Sequence, residues 1–382
     1  MVRDAKRRGA TRMLGFVVAS ACALALTALA IARGLDAVGG PPPDVDVASV
    51  WLQLKVLDSL RQRNPDSPET RVAFLSDSTS MHFPEVALGL NYRFEAALAD
   101  MAPQGSHFRV FSFASPGYSA FTQYFLSHRL ANAGPDHVVL GFSLASFSQR
   151  WREVDRPELA ALLPVWDLGE ALRLPLHWIG LSTDELLLYT MVVHFGGFGT
   201  WLKLSQKQAR CVSAWAAAAE WLQARSSAPN GLAYQTLHYS HYREAMFLPT
   251  PPERETEMHA RVKYGAVLAG VSPEHPALRI LRATLEVFRE RGIPVLVYTI
   301  PMNVEHLERL GLLDRAALHR GVERVRRVTL ASGASLVDLH DLLPDAAFRD
   351  AGGHLGVGPP LDAPPIVAER IAQALLTARG AR

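Results

Sequence analysis

The sequence predicts an α/β fold of flavodoxin-like type, three layers deep, with a five-stranded parallel sheet between two layers of helices. Three observations lead there. Short continuous apolar runs alternate with helical periodicities along the chain. Those runs carry Val, Leu, Ile and Phe at successive positions, as strands covered on both faces do. Four of the presumed strand ends open onto small, hydroxyl-bearing or glycine-bearing segments, and such sheets bind ligands beyond the carboxyl ends of their strands.

In chain order, Met13 to Ala32 is an uninterrupted apolar stretch behind a basic tail, Arg3, Lys6, Arg7, Arg8 and Arg12. Its length matches the roughly 20 residues that cross a bilayer, and exceeds the about 7–15 of a cleaved signal peptide. The expectation is a cytoplasmic tail over 1–12, an uncleaved single-pass anchor over 13–33, and an exported remainder, because Lys and Arg stay inside. The stretch GGPPPDVD, Gly39 to Asp46, is a stiff linker, and Val47 to Leu60 reads as a helix; together they fill 34–66.

The first strand is Val72–Leu75. Phe83 to Met101 shows helical spacing. Phe108–Gly117 is the second strand, Ser119–Ala131 the second helix of the alternation, and His137–Ser143 the third strand. A long insertion, 144–275, then interrupts the alternation. It holds Trp151, Trp166, Trp178, Trp201, Trp215 and Trp221, and is expected to roof the cleft beside the third strand. Its apolar block Leu186–Leu202 is short for a span and contains three glycines, so it reads as a buried helix or lid. Leu278, Leu281, Leu285 and Phe288 form a helical stripe closed by Gly292. Ile293–Ile300 is the fourth strand, Glu305–Ala331 one helix, SLVDLHDLL (Ser335–Leu343) the fifth strand, and Ile366–Leu376 a closing helix. The folded domain thus covers 67–382.

Composition narrows the function classes. Of 382 residues, 49% are hydrophobic and 20% charged, a globular balance. A net charge of +2 gives no field for nucleic acid. The two cysteines, Cys22 and Cys211, lie one in the apolar span and one far beyond it, so the exported part has no internal disulfide. No metal or cofactor is implied. His238 and His241 share helical spacing but have no acidic or cysteine partner nearby.

The chemistry concentrates at strand ends. Ser76-Asp77-Ser78 follows the first strand, ASPGYS with Gly117 the second, GFSLASFS the third, and FRDAGGHL comes after the fifth. A serine needs a base, and the base needs an orienting group. Ser78 is the candidate nucleophile, His354 the base and Asp350 the orienter. The backbone N–H groups of Ser78 and Gly117 are candidate oxyanion donors. GFSLA, Gly141 to Ala145, approximates a nucleophile elbow, but only two strands precede it.

This order of motifs resembles the SGNH, or GDSL-type, hydrolases. The resemblance implies Ser78 as nucleophile, Gly117 and the residue at Ser143 in the oxyanion hole, and Asp350 with His354 as the remaining dyad. It covers the first three strands and the last two. Ser76 stands where the family has glycine, and Ser143 where it has asparagine, with Ser146 the alternative. Asp350 precedes His354 by four residues instead of three. Pro135 to Trp151, with the single anchor, also resembles membrane-anchored DltD-like proteins of bacterial surface-polysaccharide acylation. That implies an inner-membrane esterase or O-acyltransferase with an extracytoplasmic domain. Its substrate would be an acylated glycan or other ester, and its partner a membrane-bound O-acyltransferase. The rival is a non-catalytic accessory protein that uses the same cleft to hold glycan or dock the acyltransferase.

Overall fold

The computed structural model of the protein describes residues 56–62, 68–80, 89–115, 120–147, 168–173, 271–349, 353–358 and 360–380. The expected anchor, linker, both cysteines, all six tryptophans of the insertion, the Leu186–Leu202 block, His238 and His241 lie outside the described residues. Among the described residues, no helix is long and apolar enough to cross a membrane.

Five strands form one parallel sheet: β1 (Glu69–Asp77), β2 (His107–Ser115), β3 (His137–Phe142), β4 (Val295–Thr299) and β5 (Ser335–Val337). Their order is β2-β1-β3-β4-β5. The chain therefore runs outward from β1 to β2, then returns past β1 to build β3, β4 and β5. That reversal leaves a crevice at the carboxyl ends of β1 and β3, where doubly wound sheets hold ligands.

The alternation of side chains along each strand explains why both faces are covered. Ala73 and Leu75, Phe111 and Phe113, Val138 and Leu140, and Val295 and Val297 point to one face. There they pack beneath α2 (Ala120–Ala133), α4 (Pro276–Glu290) and α6 (Arg315–Ala331). Val72 and Phe74, Val110, Val139, and Leu296 and Tyr298 point to the other, beneath α1 (Leu90–Met101) and α7 (Ala363–Gly380). Each such Val, Leu or Phe contributes roughly 1.5–3 kcal/mol by leaving water. A strand apolar at both parities has no stable solvent-facing option, so three layers follow.

The amino-terminal edge is clamped by Arg71, which is buried. Its guanidinium donates to the carbonyl of Leu60, at the end of the helical stretch 56–61, and at 2.7 Å to that of Gly134. Its own N–H donates to Asp136 Oδ2 at 2.8 Å. One side chain thus ties the leading helix, β1 and the turn before β3.

Three elements depart from the sequence reading. The helix expected over Phe83–Met101 is α1, which begins only at Leu90, after an extended Gly89. The expected helix Glu305–Ala331 is two helices, α5 (Val304–Arg309) and α6. The break is written locally: Gly311 takes φ +63, and Asp314 caps α6 by accepting from the N–H groups of Ala316 and Ala317. The fifth strand spans only Ser335–Val337, because Asp338 onward turns away to make side-chain bonds described below.

The insertion begins and ends at one place. Beyond β3 a 3-10 turn, Leu144–Phe147, brings Phe147 edge-on to His275, ring centroids 5.2 Å apart, just ahead of α4. His275 Nδ1 also accepts from Ala277 N–H and so caps α4. With its ends adjacent, the insertion leaves the β3-to-β4 crossover intact. Its described helix, α3 (Leu168–Arg173), lies against α2, where Tyr124 Oη donates to the Glu170 carbonyl at 3.2 Å.

Candidate functional site

The run Ser76 to Ser80 ends β1, and the structure gives separate tasks to four of its five residues. Asp77 Oδ1 accepts from the N–H of Thr79 at 2.9 Å and from the Thr79 hydroxyl. Ser80 Oγ donates to the Asp77 carbonyl at 2.9 Å. These bonds close the single 3-10 turn Ser78–Ser80, an Asx-type turn made by a carboxylate on the backbone two residues on. Asp77 therefore shapes the turn that begins at Ser78. The Ser78 side chain lies outside the described part.

Ser76 points the other way, into the sheet face shared with α1 and α7. It is fully buried, and its Oγ lies 2.8 Å from Tyr298 Oη. Gly141 sits between them. A Cβ on Gly141 would come 2.7 Å from Tyr298 Oη and 2.9 Å from Ser76 Oγ, so only glycine fits there. Burial pushes the Tyr298 hydroxyl far above its usual range, an effect its bond to Ser76 only partly offsets. It stays neutral.

Ser143 is the first residue past β3. It is half-buried, and its carbonyl accepts from Ser146 N–H at 3.0 Å, opening the 3-10 turn. The last paired residues of β1 and β3 are Leu75 and Leu140. Ser78 and Ser143 each stand three residues past that last pair, beyond the carboxyl ends of neighbouring strands. Gly117, beyond β2, lies outside the described residues.

His354 stands on a narrow loop held from both sides. Phe348 bridges Leu355, Arg349 N–H donates to the His354 carbonyl at 2.9 Å, and Gly356 N–H to the Ala347 carbonyl at 2.7 Å. Gly353, just before His354, takes φ +88, a conformation that glycine adopts without strain. Ala347 and Leu355 are buried with α7. The loop is tied to the carboxyl end of β4: Asn303 Nδ2 donates to Asp345 Oδ1 at 2.7 Å, and Asp345 N–H to Glu305 Oε2 at 2.8 Å. His354 is half-buried; Asp350 lies outside the described residues. The structure thus brings the Ser78 turn, Ser143 and the His354 loop to one edge of the sheet.

A further acid–imidazole pair escaped the sequence reading. Directly after β5, His340 Nδ1 lies 2.7 Å from Asp338 Oδ1, which also accepts from Thr299 Oγ1 at 2.7 Å. Burial pushes the Asp338 carboxyl up, but hydrogen bonds from His340 and Thr299, together with the His340 charge, hold it lower, at about 2. Among the described residues His340 Nε2 is buried with no hydrogen-bond partner, so this pair is closed to substrate. The spacing Asp-Leu-His in VDLHD was its only local signal. Among the described residues, no group of three or more His, Cys, Asp or Glu is placed to hold a metal.

Comparison with family models and with curated proteins returns no match for this chain.

Proposed function

We propose that this chain is an SGNH-type serine esterase or O-acyltransferase. In this reading it is anchored by 13–33 in a bacterial inner membrane, with the amino terminus cytoplasmic. Its extracytoplasmic domain acts on acyl esters of cell-surface polysaccharide, beside a membrane-bound O-acyltransferase. The observation that carries the reading is the Asp77-capped turn at the carboxyl end of β1, next to the crevice between β1 and β3. It starts at Ser78, on the edge that also bears His354. The chemistry follows from the assigned roles. His354 takes the Ser78 proton as Oγ attacks the acyl carbonyl, and Asp350 orients the imidazole. The alkoxide leaving group takes that proton. Water or a sugar hydroxyl then attacks the acyl-Ser78 ester, giving up its own proton to His354, and regenerates the serine. N–H groups of Ser78 and Gly117, with the Ser143 hydroxyl, hold the oxyanion.

One observation favours the non-catalytic, glycan-holding or docking reading. Ser143 provides a single hydroxyl donor where the resemblance calls for an asparagine amide. Labelling of the full-length protein in detergent with a fluorophosphonate decides between the two. Covalent labelling that Ser78→Ala abolishes, with its melting temperature kept, supports the enzyme. Equal labelling of both proteins, or none of either, supports the accessory role.

A further inference from the structure

The backbone ladder that holds β1 is uneven at its carboxyl end. Toward β2 the pairing continues to Asp77 and Ser115, but toward β3 it stops at Leu75 and Leu140. Gly141, the next residue of β3, gives its carbonyl to Gln123 Nε2 of α2 at 2.9 Å. Over Ser76 and Asp77, therefore, the backbone pairing that remains is on one side. On the other side a side-chain bond spans the gap. Tyr298 of β4 lies opposite Gly141 of β3, and its hydroxyl reaches across the bare glycine to Ser76 Oγ at 2.8 Å.

The Tyr298 end of this link is rigid. Tyr298 is fully buried and stacks on Phe74, centroids 5.9 Å apart and planes at 29°. Phe74 in turn packs on Phe94 of α1 at 5.3 Å. In so dry a place a neutral hydrogen bond has no water competing for either partner. Ser76 adjoins Asp77, whose carboxylate closes the turn, and stands two residues before Ser78. A sideways shift of Ser76 is carried to both.

We infer that the Ser76–Tyr298 hydrogen bond is a lateral tether that positions the Ser78 turn. Ser76 and Tyr298 are then positioning residues for acyl transfer, a role that rests on Ser78 being the nucleophile. Ser76 is in this view a functional substitution for the glycine of the resembling family.

The test separates positioning from mere burial of a satisfied polar pair. Full-length wild type, Tyr298→Phe, Ser76→Ala and the double variant are compared in three ways. These are melting temperature, the rate of fluorophosphonate labelling, and hydrogen exchange of the peptide spanning Asp77–Ser80. Each single change strands one buried hydroxyl and lowers the melting temperature; the double removes both and returns it close to wild type. With the tether gone, the double still labels about tenfold or more slowly, since small misplacements of reacting groups cost rate steeply. Its Thr79 amide also exchanges faster. A double variant that labels at the wild-type rate with unchanged exchange overturns the tether. If the wild type itself does not label, the enzymatic reading falls, and exchange alone decides. Lost protection in the double then upholds the tether as a holder of the turn, and kept protection overturns it.

Discussion

Thr299 and Asp338 join the ends of β4 and β5 through a 2.7 Å bond from the threonine hydroxyl to the carboxylate, and His340 donates to the same oxygen. The Leu339 N–H donates to Thr299 Oγ1 at 2.7 Å, and Met302 N–H to the His340 carbonyl at 3.1 Å. This knot replaces the ladder that β5 lacks beyond Val337. It also fixes the start of the segment Ile300–Asn303, from which Asn303 holds the His354 loop through Asp345.

The knot makes stability depend on acid. The Asp338 carboxyl titrates at about 2 in the fold against an ordinary 3.8, and its side chain is 22% exposed. A depressed value means the folded state favours the carboxylate. Its stabilisation is therefore full above about pH 4, fades as pH falls, and is gone below about pH 2. The drop from 3.8 to about 2 corresponds to roughly 2.5 kcal/mol. Asp338→Asn is expected to lose about that much at pH 7 and much less near pH 2. Urea unfolding at both pH values checks it, and an equal loss at both contradicts the assignment.

Arg71 is expected to matter more than any surface charge. Arg71→Ala leaves the carbonyls of Leu60 and Gly134 without their donor and removes the cation beside Asp136, 3.9 Å from its Nε. Breaking one partner of a buried charged network costs about 3–5 kcal/mol. The loss appears as a lower urea midpoint with an unchanged slope. A loss below about 1 kcal/mol, the range of exposed pairs, would show the clamp to be incidental.

Asp77 separates turn-making from charge. Asp77→Asn retains an oxygen acceptor for the Thr79 N–H and should label with fluorophosphonate within a few-fold of wild type. Asp77→Ala removes the acceptor, costs about 1 kcal/mol as other lost caps do, and slows labelling about tenfold. Equal rates for Asn and Ala variants would show that the cap does not shape the turn.

The sequence alone determined the architecture. Val72 and Phe74 are apolar at one parity of β1 and Ala73 and Leu75 at the other, so a parallel sheet covered on both faces was legible before any coordinates. The first four strands were legible to within two or three residues for the same reason, since hydrophobic periodicity is a local property; the fifth, read on to Leu343, stops at Val337. The break at Gly311 and Asp314 was equally local, but an apolar period running through both halves concealed it. The tertiary structure decided what the polar residues do. Ser76 and Tyr298 are 222 positions apart, and Thr299 and Asp338 are 39 apart. Nothing in the neighbourhood of either member names the other. Such pairs exist only once strand order and register bring β1, β3, β4 and β5 side by side. The run Ser76–Ser80 looked like one hydroxyl cluster because side-chain direction is absent from a string of letters. Folding turns Ser76 inward to β4 and ties Thr79 and Ser80 to Asp77, because a buried hydroxyl must find an acceptor or donor and the register sets which one is in reach.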